Sequence, residues 1–421
     1  MIKELSMTVF HVMPVSPKRC GPRIIATALV GLSLVISLFA GAVSAKTEAA
    51  LPGKSLPEAH SVLPTDNTVF WPHEKSDLKP DPSVHFGRLT NGFRYALMNN
   101  AEPKNRVSMH LVVEAGSLNE TDEEQGLAHF LEHMLFNGST HFKPGELVKY
   151  FQNIGMQFGP DANAHTGFNQ TVYDILLPDG SSGSISDGLL VLSDYADGAL
   201  LLEEEIERER HVVLAEKRTR DSASYRTFVS TLSFELPDVR ISKRLPIGRE
   251  EVIRNADRKL MKDFYDAWYR PETMILVMVG DFDVNTAVPL IQDRFGKMTG
   301  RAPPRDEPDF GTIDHQGDRA FFHFENESGN TSVSIEMVKK VQPQRDSVTL
   351  QKERLTLDVA NRIVQERLNA MLSEPDTPFT SAQVGAGVFL RQMAYADISA
   401  DCKPENWDRS LQMLDRSLRQ A

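Results

Sequence analysis

The segment His129-Phe130-Leu131-Glu132-His133 constrains this chain more than any other. On a helix, positions i, i+3 and i+4 share one face, so two imidazoles and one carboxylate project to the same side. Two neutral His nitrogens can hold Zn²⁺ and leave coordination positions open. Glu132, one position before the second His, stands where a base must stand to take a proton from metal-bound water. The order H-x-x-E-H inverts the commoner H-E-x-x-H, and both are zinc-hydrolase patterns. Thr121-Asp122-Glu123-Glu124 reads as a capping box that starts the helix. Leu127, Phe130, Leu131, Met134 and Leu135 give it an apolar face, and Asn137-Gly138 reads as its stop. The plainer alternative is a surface helix with two His and a Glu in water. Against that, the polar trio lies in a markedly apolar stretch, where burying polar groups is costly unless they are ligated or paired.

A catalytic zinc needs a third protein ligand. The segment from Leu202 to Glu216 is charged early and apolar later. Glu209 and Glu216 lie two turns apart along one helix face. Glu216 follows Val212, Val213 and Leu214, which sets it near the edge of the core. Glu203, Glu204, Glu205 and Glu207 read as solvated carboxylates.

Over about two hundred residues the chain resembles the insulinase-type (M16, pitrilysin-like) metallopeptidases. The resemblance is carried by Glu114-Ala115-Gly116-Ser117, by Gly126-Leu127-Ala128 leading into the H-x-x-E-H segment, and by Phe136-Asn137-Gly138-Ser139. It continues through Asn163-Ala164-His165-Thr166, Thr171-Val172-Tyr173, Glu209 to Glu216 and Leu245-Pro246-Ile247-Gly248. Trp268-Tyr269-Arg270-Pro271 and Val279-Gly280-Asp281 complete it. It implies a zinc endopeptidase with one Zn²⁺ per chain, held by His129, His133 and Glu216, with Glu132 as general base. Glu209 becomes a carboxylate behind the ligands and the runner-up for the third ligand itself. Asn163 and Ala164 match the family's edge strand, which pairs with the substrate backbone; His165 beside them reads as an ordinary strand histidine. Gly180-Ser181-Ser182-Gly183-Ser184 looks like a small insertion. The implied fold is α+β, a repeated unit of a mainly antiparallel sheet with helices packed on one face. The family encloses peptide substrates between two halves, so a second half, in the same longer chain or a partner subunit, is expected. An Arg and a Tyr of that second half have no assignable match here. A non-catalytic peptide-binding subunit is the alternative, although such relatives usually lose the H-x-x-E-H residues.

The N-terminus has its own character. Lys18, Arg19 and Arg23 precede an apolar run from Ile24 to Ala42, and Val43-Ser44-Ala45 fits a small-residue cleavage site. Residues 1–45 read as a secretory signal, which implies a periplasmic or secreted protein. The alternative is a membrane anchor over residues 24–42. Cleavage after Ala45 would leave Cys402 as the sole cysteine, so no internal disulfide could form. A net charge of −12 argues against nucleic-acid binding. Residues 46–84 read as an extended lead-in, 85–298 as the zinc-binding domain, 299–309 as a Pro-rich linker and 310–421 as a partial second domain. Strands are expected at Val107 to Val113, Thr171 to Leu177 and Met274 to Val279, and one long helix from Glu203 to about Phe228.

Overall fold

The computed structural model describes Thr8–Val12 and residues 71–420. They divide into two compact units. The first holds residues 79–220 and 240–310; the second holds Thr8–Val12, 71–78, 221–239 and 311–420. Apart from Thr8–Val12, a strand (β1) of the second unit, the expected leader over residues 1–45 lies outside the described residues.

The first unit is built on six strands. They are Val84–Arg88 (β2), Arg94–Asn99 (β3), Val107–Val113 (β4), Ala162–Thr166 (β5), Thr171–Leu177 (β6) and Met274–Gly280 (β7). Their order is β2-β3-β7-β4-β6-β5. Every pair is antiparallel except the parallel β3 and β7, and β5 is an open edge. Alternation along β4 explains its orientation. Val107, Met109, Leu111 and Val113 are fully buried, while Ser108, His110 and Val112 are half-buried on the other face. The buried face joins one core with residues of helices Leu127–Met134 (α1), Glu146–Asn153 (α2), Ser182–Asp197 (α3) and Glu203–Arg220 (α4). Arg258–Trp268 and Val284–Phe295 contribute helices to the same core. This α+β architecture is the expected one.

Three local outcomes differ from the sequence expectations. Thr121–Glu124 closes its own 3₁₀ turn, with the Thr121 N–H donating to Glu124 Oε2 at 3.0 Å, and α1 starts later, at Leu127. The expected single helix from Glu203 breaks after Arg220. Ser222 is extended, and its hydroxyl accepts the Tyr225 N–H at 3.2 Å, an N-cap that starts a separate helix, Ala223–Glu235 (α5). That helix belongs to the second unit. The expected linker at 299–309 groups with the first unit instead. Arg301 explains this: its Nε donates to Asp266 at 2.9 Å, and its guanidinium lies 4.2 Å over the Tyr265 ring.

The second unit has a sheet of Arg319–His323 (β8), Thr331–Lys340 (β9), Phe379–Phe389 (β10) and Met393–Cys402 (β11), with β1 paired between β8 and β9. Val333, Ile335, Ile398 and Ala400 meet Leu368 and Leu414 of helices Val348–Met371 and Trp407–Arg419 in its core. Glu336 and Asp397 sit opposite each other on β9 and β11, and Glu235 of α5 joins them. Burial and the Glu336 charge push the Asp397 carboxyl up to about 7.

A raised carboxyl pKa means that the folded state binds more protons than the unfolded one between about pH 4 and 7, so stability falls as pH rises through that window. Asp397→Asn should therefore gain at least about 1 kcal/mol at pH 8 and little at pH 4, read from urea midpoints; an equal effect at both would contradict the burial argument. Gly248, at φ +68°, has no room for a side chain, because a Cβ would lie 2.2 Å from the Gly126 Cα at the head of α1. Gly248→Ala should cost about 1–3 kcal/mol in the same assay, and a cost near zero would show that this contact is not rigid.

Candidate metal centre

The centre forms where α1 and α4 meet below the edge strand. Helix α1 is only eight residues long, and remote groups hold its first turn. Gly126 adopts a left-handed φ of +103°. The fully buried Glu120 carboxylate then accepts the N–H of Gly126 and of Ala128, each at 2.9 Å. These are donors that a helix start leaves unsatisfied. Phe130, Leu131 and Met134 are fully buried on the core side, which turns His129, Glu132 and His133 toward α4.

There the three expected ligand groups converge. Glu216 Oε2 lies 3.5 Å from His129 Nε2 and 3.4 Å from His133 Nε2. Among the described residues, this trio is the group of His, Cys, Asp or Glu whose ligand atoms lie close enough together to hold a metal ion. Ligands about 2.0–2.1 Å from one tetrahedral centre sit roughly 3.4 Å apart, so the spacing fits zinc. The surrounding bonds fix which atoms face inward. His133 Nδ1 bonds Glu209 Oε1 at 2.8 Å, which leaves Nε2 as the free lone pair. Arg220 pairs with Glu216 Oε1 and leaves Oε2 toward the imidazoles. His129 Nδ1 is buried without a hydrogen-bond partner.

Glu132 is set apart from the trio. Its Oε2 accepts the Thr166 hydroxyl at 2.6 Å. Burial raises its pKa, against the pull of the Thr166 bond and of His133. Burial also brings His129 down to about 4, with the His133 charge acting the same way. For His133, burial acts downward, but the Glu209 bond and the nearby carboxylates outweigh it, and its pKa is raised. Burial acts upward on Glu216, yet the two imidazoles and Arg220 hold it low.

Asn163 and Ala164 lie on β5 at the open sheet edge, on the strand that also carries Thr166. Sequence reasoning missed three contributors. Thr166 was visible only as part of the Asn163-Ala164-His165-Thr166 segment. Arg220 is four residues after Glu216, a readable helical pairing. Asn137 looked like a helix stop, but its side-chain amide also bridges the His133 carbonyl at 3.0 Å and Glu209 Oε2 at 3.2 Å.

Comparison with known proteins identifies the family. Residues 95–232 match insulinase (peptidase family M16), and residues 255–421 match the peptidase M16 inactive domain. A zinc protease PQQL-like protein of Arabidopsis thaliana is 30% identical over 311 residues, 73% of this chain and 32% of its own length. The probable zinc protease PqqL of Escherichia coli is 34% identical over 221 residues, 52% of this chain and 24% of its own. The crystal structure of the periplasmic protease PqqL from Escherichia coli aligns with a TM-score of 0.75 at 25% identity, covering 81% of this chain and 38% of that one. The chain thus spans about a third or less of the length of these curated relatives. With both M16 patterns matched and the fold shared, this chain belongs to the insulinase-type (M16) peptidase family.

Proposed function

We propose that this chain carries the catalytic centre of a zinc-dependent endopeptidase that cleaves peptides or small unfolded proteins. The observation that carries the reading is the convergence of His129 Nε2 and His133 Nε2 on Glu216 Oε2, at 3.5 and 3.4 Å, with a separate buried carboxylate beside them. One zinc ion held by those three residues would supply Lewis-acid polarisation and a nucleophilic water at neutral pH. Glu132 accepts the proton of the attacking water and passes it to the leaving amine. Its raised pKa suits both halves of that task, and the Thr166 hydroxyl holds one carboxylate oxygen in place. Glu209 keeps the proton on His133 Nδ1 and fixes the ring. The substrate backbone adds to the open edge of β5 near Asn163 and Ala164, so main-chain bonds provide most of the grip.

Two further proposals concern the whole protein. A second M16 half, in the same longer chain or in a partner, completes the enclosure around the peptide; the short span of this chain against its relatives favours it. The location is periplasmic or secreted, supported by the leader-like stretch from Lys18 to Ala45 and by the periplasmic protease of similar structure. Among the described residues no helix is long and apolar enough to cross a membrane.

Glu132→Gln should keep about one zinc per chain by elemental analysis and lower peptide cleavage at least about 100-fold. Full cleavage by that variant would remove Glu132 from the mechanism. His129→Ala and His133→Ala should lose the metal. Glu209→Gln should bind zinc about 10–100-fold more weakly in a chelator competition, and unchanged affinity would show that the His133 bond has no influence on the metal.

A further inference from the structure

The face of the sheet turned away from Glu132 carries a second polar array, placed where a bound peptide would meet it. Side chains alternate along β5, and Thr166 points at Glu132, so Asn163 and His165 stand on the opposite face. His165 is well exposed, with 58% of its side chain open, and its Nδ1 lies 3.7 Å from Asp174 Oδ2 on β6. The other Asp174 oxygen takes His110 Nδ1 of β4 at 2.5 Å, and His110 Nε2 meets the Ser108 hydroxyl at 2.8 Å. Both oxygens of Asp174 therefore face imidazoles, and the outermost group of the array is the Nε2 end of His165, which donates when the ring is protonated at both nitrogens. The Asp174 carboxylate raises the pKa of His165 against the pull of burial, and Glu132 adds to the effect, which favours the doubly protonated ring.

The strand register decides what reaches it. Leu176 N–H bonds the Asp161 carbonyl at 2.7 Å, and Gly167 N–H bonds the Gln170 carbonyl at 2.8 Å. The odd-numbered residues of this stretch thus turn their main-chain groups inward to β6, while Ala164 and Thr166 turn theirs to the open edge. A peptide pairing antiparallel to β5 would then meet His165 in a non-hydrogen-bonded pair, the arrangement that brings opposing side chains closest, about 4.5 Å between Cα atoms. We propose that His165, backed by Asp174 and His110, forms a specificity subsite for an acidic side chain of the bound peptide at the position opposite it. The inference rests on the peptidase reading above and on the peptide lying along β5. A lysine or arginine there would meet a like charge on the protonated His165 ring, whereas a glutamate or aspartate gains a charge-assisted bond.

The test uses the zinc-loaded Glu132→Gln chain, which holds peptides without consuming them, and a fluorescent neutral peptide with one glutamate moved along it. Fluorescence anisotropy should show one position at which glutamate binds about three- to tenfold more tightly than glutamine, a modest gain because the site is open to solvent. Adding His165→Ala should abolish that preference and leave the affinity for the all-neutral peptide within about twofold. No preference at any position, a preference for lysine, or a glutamate preference that survives His165→Ala would overturn the subsite while leaving the peptidase reading intact. Failure of every peptide to bind, with or without His165, would instead overturn edge-strand binding and the subsite with it.

Discussion

The centre depends on how one short helix is held. Eight residues have too little intrinsic helical stability to stand alone, so α1 must be fixed by its surroundings. The Glu120 carboxylate ties down its first N–H groups, and the close approach of Gly126 to Gly248 leaves its start no room to shift. At the other end Asn137 bonds both the last turn and Glu209. Buried Phe130, Leu131 and Met134 set the rotation about the helix axis. With both ends and the rotation fixed, His129 and His133 can meet Glu216 of α4, which lies 83 residues further along the chain than His133.

This arrangement separates two kinds of carboxylate. Glu216 faces two imidazoles and Arg220, which keep it ionised and suited to a cation. Glu132 is more deeply buried, and its pKa is raised, which suits a group that must take up and release a proton. Two glutamates near one another thus have their protonation preferences driven apart by environment alone. Glu209 is a third case, because its bond to His133 acts on the metal site only through the imidazole ring.

Much of this was legible in the sequence, for physical reasons. The 3.6-residue period places His129, Glu132 and His133 on one face regardless of the rest of the fold. The strict alternation of Val107, Met109, Leu111 and Val113 marks a strand with one buried face, and the strands expected at Thr171 to Leu177 and Met274 to Val279 form within a residue of those bounds. What was not legible came from contacts distant in sequence. The break at Arg220 is the exception, a local Ser222 cap masked by the helix-favouring run around it. Arg301 gives the Pro-rich segment its fixed partners, Asp266 and Tyr265, 35 and 36 residues away. Thr166 reaches Glu132 because β5 passes over α1, and His165 acquires its partners because β4, β5 and β6 bring Asp174 and His110 alongside. No local pattern announces these long-range contacts.

The place where zinc binds decides the role of each residue of the centre. A crystal of the chain loaded with one equivalent of zinc, with anomalous data collected at the zinc edge, would locate the ion. A single strong peak is expected about 2.0–2.2 Å from His129 Nε2, His133 Nε2 and a Glu216 carboxylate oxygen, with Glu132 close by but not ligating. A peak ligated by Glu132 or Glu209 in place of Glu216, or a peak at the His110–His165 array with none at α1, would contradict it.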